Sequence, residues 1–271
     1  MELVWKITGA PDEFSRPDGL GLDQQGDLYV ADAGNSRIQK LDGEGRLLTS
    51  WGSFGSEDGQ FRCQYCGLVV DRGGNVYVTD SLRVQKFDAN GKFLLKWGRL
   101  GKGDGEFVGP FGLAVDRQGN VYVADPFQSR VQKFDGNGKF LAKWGSRGFG
   151  DGQFSEDLAD IAVDASGNIY VTDRSNGVQK FDSDMQFVAK WDVCGDDRLV
   201  ISATGVAVDA RGNIYVNDLG NGRICKYDGS GTFLTALGGF SGRVGLIAVD
   251  QQGDLYGTEP KDDLVLRFHQ P

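Results

Sequence analysis

The chain has 271 residues, with 42 Gly, 6 Pro, 17 Phe, 8 Tyr and 5 Trp; so many aromatics exclude a disordered low-complexity chain, and with β-branched runs and abundant Gly they point to short strands and tight turns. A net charge of −9 makes the chain a poor candidate for non-specific binding to nucleic acid or to an anionic membrane surface. No run of about 18 apolar residues is present to span a membrane, and four Cys are too few for a disulfide scaffold.

The opening stretch, MELVWKITGAPDEF, lacks the basic start and apolar core of a signal peptide, and the compartment stays open. Within it, ELVWKI (2–7) reads as an orphan strand bearing Trp5. A repeat then begins. The Asp residues that end successive short apolar runs are Asp23, Asp71, Asp116, Asp164, Asp209 and Asp250, at intervals of 41 to 48 residues. Six copies at such a period indicate a propeller or solenoid.

The third copy shows the parts most clearly. GLAVD (112–116), VYVAD (121–125), RVQKFD (130–135) and KFLAKWG (139–145) are each short, β-rich and bounded by Gly, Asn or Asp, so each reads as a strand. RQGN joins the first two and GNG the last two, both tight-turn compositions. Four strands per copy make one propeller blade. In the first strand Leu113 and Val115 flank Ala114, as Ile161 and Val163 flank Ala162 and Val206 and Val208 flank Ala207; both faces are apolar, so both are expected to be buried. The last copy supplies LIAVD (246–250), DLYGTE (254–259) and LVLRFH (264–269), and no fourth strand. The orphan strand at 2–7 is expected to provide it, since Trp5 matches Trp51, Trp97, Trp144 and Trp191. The fold class is therefore all-β: a six-bladed β-propeller of four-stranded antiparallel blades, residues 1–271 forming one domain, with the N-terminal strand covering what would otherwise be an exposed edge of the sixth blade.

DGQF (58–61), GDGEF (103–107) and GDGQF (150–154), followed by GLAVD-, GNVYVAD- and RVQKFD-like blocks, resemble NHL repeats over essentially the whole chain. The resemblance is specific for fold and weak for function: it implies a range that runs from RNA binders and protein binders to receptor sensor domains and a few metal lyases.

Strand direction then separates two rims. The turns between first and second strands are near copies (DQQGD, DRGGN, DRQGN, DASGN, DARGN, DQQGD), whereas the opposite rim carries divergent loops such as PFQSR, RSNG and GSFGSEDGQFRCQYC. A ligand surface needs distinct residues in distinct places, so the loop rim is the expected site. At the mouth of the central channel there, the residues leading into each first strand include Asp18, Phe111 and Thr204, with Tyr65, Asp157, Asp160 and Arg243 close in sequence. Asp160 stands where four other copies have Gly. Tyr65, Phe111 and Phe127 are aromatics that break the repeat, as anchors for a partner do and core aromatics do not. These eight form the candidate ligand-binding set. Asp151, Glu156, Asp157, Asp160, Asp192, Asp196 and Asp197 add an acidic sector, which favours a cation or a basic partner surface.

The remaining constellations point to structure. Asp32, Asp80, Asp125, Asp173 and Asp218 close the second strands and are expected to bind local backbone N–H groups, with Arg37, Arg83, Arg130 and Arg223 as partners. RNA recognition needs clustered Lys and Arg, and these interblade loops are net acidic, so nucleic acid is an unlikely partner. The chain has one His, His269, which excludes a His-rich zinc site. Cys63 and Cys66 read as free thiols or a local disulfide. The expectation is a non-catalytic binding or scaffolding module for a protein or peptide, with no cofactor. The alternative is a lactonase- or lyase-like enzyme whose divalent cation sits at the channel mouth, where Asp18, Asp157 and Asp160 could offer oxygen ligands.

Overall fold

In the computed structural model, which describes residues 2–7, 14–63, 65–195, 203–238 and 245–270, the repeat becomes six four-stranded antiparallel sheets. Blade 3 is built from Leu113–Val115, Val121–Asp125, Arg130–Phe134 and Phe140–Trp144, in that order outward from the channel. Its second strand is buried at all five positions, and its outermost strand alternates between half-buried and exposed. The second strands of the other blades are equally buried. That is why they read as continuous apolar runs rather than as alternating ones.

One device fixes every turn between first and second strands. The Oδ1 atom of Asp116 accepts the N–H groups of Gln118 (2.9 Å) and Asn120 (2.8 Å), and its Oδ2 accepts the Tyr122 hydroxyl at 3.1 Å. Lys133 lies 5.0 Å from the centroid of the same tyrosine ring. The Asp–Tyr bond recurs for Tyr29, Tyr77, Tyr170, Tyr215 and Tyr256. Gly119 (φ +82°) occupies a left-handed position in the turn, which costs glycine least. The copied residues of this rim are thus copied structure.

Between blades, each tryptophan of a fourth strand wedges into the next blade. Trp97 meets Tyr77 of its own blade edge to face at 6.2 Å and Phe134 of the following blade at a tilt at 5.7 Å, beside the buried Phe107 of the GDGEF block. Gly138 lies beneath that indole, and a Cβ there would stand 2.7 Å from it. The closing blade repeats the arrangement with residues from both ends of the sequence. Glu2–Ile7 pairs with Leu264–His269, Trp5 facing Arg267 and Ile7 facing Val265. Trp5 meets Tyr256 at 5.9 Å and donates its indole N–H to the Gly43 carbonyl of blade 1 at 3.2 Å. The expected ring closure is therefore present. Among the described residues no helix is long and apolar enough to cross a membrane.

Candidate binding site on the loop rim

The aspartates that close the second strands organise this rim. Asp125 accepts the N–H groups of Val108 (3.3 Å) and Gly109 (3.1 Å); Asp80 accepts that of Arg62 (2.6 Å) and Asp173 that of Ser155 (2.6 Å). The following arginines extend the framework, Arg130 donating to the carbonyls of Lys102, Gly103 and Glu106. These buried groups are committed to holding the interblade loops in place, as expected of them.

On that framework the loops entering blades 2, 3 and 4 enclose an open pocket of ≈ 450 Å³. Four members of the candidate set line it: Tyr65, Phe111, Phe127 and Asp157. Tyr65 and Phe111 meet edge to face, centroids 6.1 Å apart at 81°. Tyr65 is 63% exposed and Phe127 66% exposed, while Phe111 is half-buried and anchored by its backbone N–H to Ala124 O at 2.9 Å. Phe127 projects from the 3-10 turn Pro126–Gln128, and its ring covers Gly109, where any Cβ would collide with it. The disulfide Cys63–Cys66 closes the loop carrying Tyr65, and the Cys66 N–H donates to Asp18.

The pocket also holds residues absent from the candidate set, chiefly Arg62, Glu156 and Arg174. Repeat-breaking would have found both arginines: Arg62 stands where Val108 and Ser155 stand, and Arg174 where Ala33, Ser81, Pro126 and Leu219 stand. Glu156 is paired with Arg147 at 2.7 Å, and Asp157 accepts the Ser175 hydroxyl at 2.6 Å. Arg174 is exposed and, among the described residues, has no ion-pair partner. The Arg62 guanidinium lies 5.6 Å from the centroid of the Phe54 ring and, among the described residues, has no ion-pair partner. Of the carboxylates of the expected acidic sector that reach this pocket, Glu156 is ion-paired and Asp157 accepts a neutral hydroxyl and keeps its charge; the two guanidiniums have no ion-pair partner among the described residues.

Asp18, Asp160 and Thr204 lie elsewhere, beneath the rim, and all three are buried. Asp160 borders the channel cavity of ≈ 230 Å³, which is otherwise lined by the inner strands. Its Oδ2 accepts the Val206 N–H of the next blade at 3.1 Å, as Asp18 accepts that of Cys66 at 3.0 Å. Thr204 accepts from Asn217 at 2.9 Å. Burial pushes the Asp160 carboxyl up to about 7, with a smaller push from the charge of Asp18. Burial likewise lifts Asp18 to about 6, against the pull of the Cys66 N–H, Arg16 and Arg174. Arg243 lies outside the described residues.

The channel-mouth carboxylates Asp18, Asp157 and Asp160 are not gathered into a cluster of three among the described residues. Among the described residues the one group of three ligand-type side chains with atoms within 4.8 Å of one another is Cys194, Asp218 and Cys225. There the two sulfurs form a second disulfide and Asp218 is held by Asn221 and Arg223.

Comparison with known proteins adds the following. The NHL repeat profile matches residues 14–41. Protein brain tumor of Drosophila melanogaster is 37% identical over 68 residues, which are 25% of this chain; the match spans only 7% of that protein's length. Among solved structures, a gluconolactonase from Xanthomonas campestris superposes with a TM-score of 0.74 at 17% identity, over 100% of this chain and 91% of that one. The virginiamycin B lyase from Staphylococcus aureus superposes with a TM-score of 0.67 at 13% identity, over 94% and 81% of the two chains. At such identities the likeness is one of fold.

Proposed function

We propose that this six-bladed β-propeller, which matches the NHL repeat over residues 14–41, works as a non-catalytic binding module whose loop rim receives a segment of a protein or peptide. One observation carries the reading. The aromatics that break the repeat, Tyr65, Phe111 and Phe127, meet in a single pocket on the divergent rim, two of them largely exposed. Exposed rings held by a rigid framework supply contact area at small entropic cost.

Selection of displayed peptides on the folded chain tests it. Enriched peptides should compete for one site, lose affinity with Phe127→Ala and keep it with Gln118→Ala on the turn rim. Binding that is weakened by Gln118→Ala and indifferent to Phe127→Ala places the site on the wrong face.

The enzyme alternative draws on the fold shared with a lyase and a lactonase and on Asp160 at the channel. Thermal unfolding with added Ca²⁺, Mg²⁺ or Mn²⁺ addresses it. A stabilisation abolished by Asp160→Asn supports a channel ion, and none is expected from the dispersed carboxylates.

A further inference from the structure

The rim pocket joins apolar walls to a particular charge. Tyr65, Phe111 and Phe127 offer ring faces and edges. Of the acidic groups in the lining, Glu156 forms a surface ion pair with Arg147, and Asp157 accepts the Ser175 hydroxyl and keeps its charge. Two exposed guanidiniums, Arg62 and Arg174, lack a carboxylate partner among the described residues. A guanidinium presents a planar fork that matches a carboxylate bidentately, and water-exposed rings beside it favour a ligand that covers both.

Resting on the binding role above, we propose that the pocket takes an extended peptide segment in which an apolar side chain neighbours an Asp or Glu. The apolar side chain enters between Tyr65, Phe111 and Phe127, and the carboxylate meets Arg174, with Arg62 a second guanidinium in the same lining. The chain as a whole carries a net charge of −9, so a polyanion is repelled at long range while a lone carboxylate is held at short range. Charge thus selects an acidic peptide over a nucleic acid, and over the basic partner that the acidic residues of the sequence suggest.

Three pooled peptide libraries of one design test this. Each has a central Phe, Trp, Tyr or Leu followed by a fixed Glu, Gln or Lys, with random flanks. On the wild-type chain the Glu pool should be retained about tenfold more than the other two, the scale of one charge-assisted contact, and less so in about 0.5 M NaCl. Arg174→Gln should erase the preference for Glu, bringing retention of the Glu pool down to that of the Gln pool; Phe127→Ala should weaken all three pools. Circular dichroism confirms that each variant is folded. Equal or better retention of the Lys pool, still sensitive to Phe127→Ala, overturns the charge assignment and leaves the rim pocket standing. Retention of no pool overturns both. Salt-sensitive capture of oligouridine, lost with Arg174→Gln and tighter than that of the Glu pool, makes phosphate the anion and also overturns the proposal.

Discussion

The two rims of this ring are made by the same blades and spend their polar groups differently. On the turn rim each aspartate is satisfied inside its own turn, by two backbone N–H groups and a tyrosine hydroxyl a few residues on, as at Asp116. On the loop rim the aspartate reaches out of its strand to hold a separate loop, as Asp125 holds residues 108 and 109. A self-contained turn has one good sequence and is repeated. A held loop is tied at its base and free at its tip, so its tip can vary. The difference explains how a chain that copies itself six times acquires one non-repeating pocket.

Four experiments break or sharpen that contrast. The largest effect should come from destroying the ring that carries both rims. Deleting residues 1–8 removes the fourth strand of the closing blade and the Trp5 contacts, and unfolding measurements should show a loss of several kcal/mol. Unchanged thermal unfolding would mean that the strand is dispensable.

Next comes the turn rim itself. Asp116→Ala strands two N–H groups and the Tyr122 hydroxyl, at a cost of about 1–3 kcal/mol in urea denaturation, with peptide capture unchanged. A comparable fall in capture would mean that the rims are energetically coupled.

The third concerns pH. Below the ordinary carboxylate range Asp160 is protonated in both the folded and the unfolded chain and contributes nothing. As pH rises past about 3.8 the unfolded chain ionises first, while burial keeps the folded-state carboxyl protonated up to about 7. Folding stability is therefore lost across that window and stays lost above it. Asp160→Asn preserves an acceptor for Val206 and removes the titration. It should raise the melting temperature at pH 8 by more than at pH 4.5, by a few degrees for a chain of this size. Equal shifts at both values would show that Asp160 ionises freely.

Phe127→Ala is the smallest change to the fold and the most specific to the loop rim. The ring is 66% exposed, so stability should move by less than about 0.5 kcal/mol, while binding of a selected peptide should fall by about 1–2 kcal/mol in titration calorimetry. Gln118→Ala, its counterpart on the turn rim, should do neither.

The architecture was legible because repeated structure writes repeated residues. The Asp anchors placed six blades, and Trp5, lacking a blade of its own, placed the closing strand. The pocket was legible in part by the inverse rule. Tyr65, Phe111 and Phe127 depart from the repeat and do meet, and the same rule would have added Arg62 and Arg174. What sequence spacing does not encode is the depth of a carboxylate. Asp157 and Asp160 are three residues apart, yet one is exposed and the other buried. The residue entering an innermost strand lies under the rim, where the next blade offers an unpaired N–H: Val206 to Asp160, Cys66 to Asp18. Nor does a count of acidic residues reveal that Arg147 and Ser175 have already claimed Glu156 and Asp157.

The closing blade also sets an order of events in time. Within the ring, residues 2–7 are synthesised before every other described strand, and their partner, Leu264–His269, after every other. Until Leu264–His269 is made the first strand has an edge with nothing to bind, and the five blades between can assemble only an open arc. The same clasp makes the starting point of the chain arbitrary in space. If the two ends were joined through a linker and the chain cut in the turn between two other blades, an identical ring should form, with the clasp sewn shut and the late pairing moved to wherever the new cut was made.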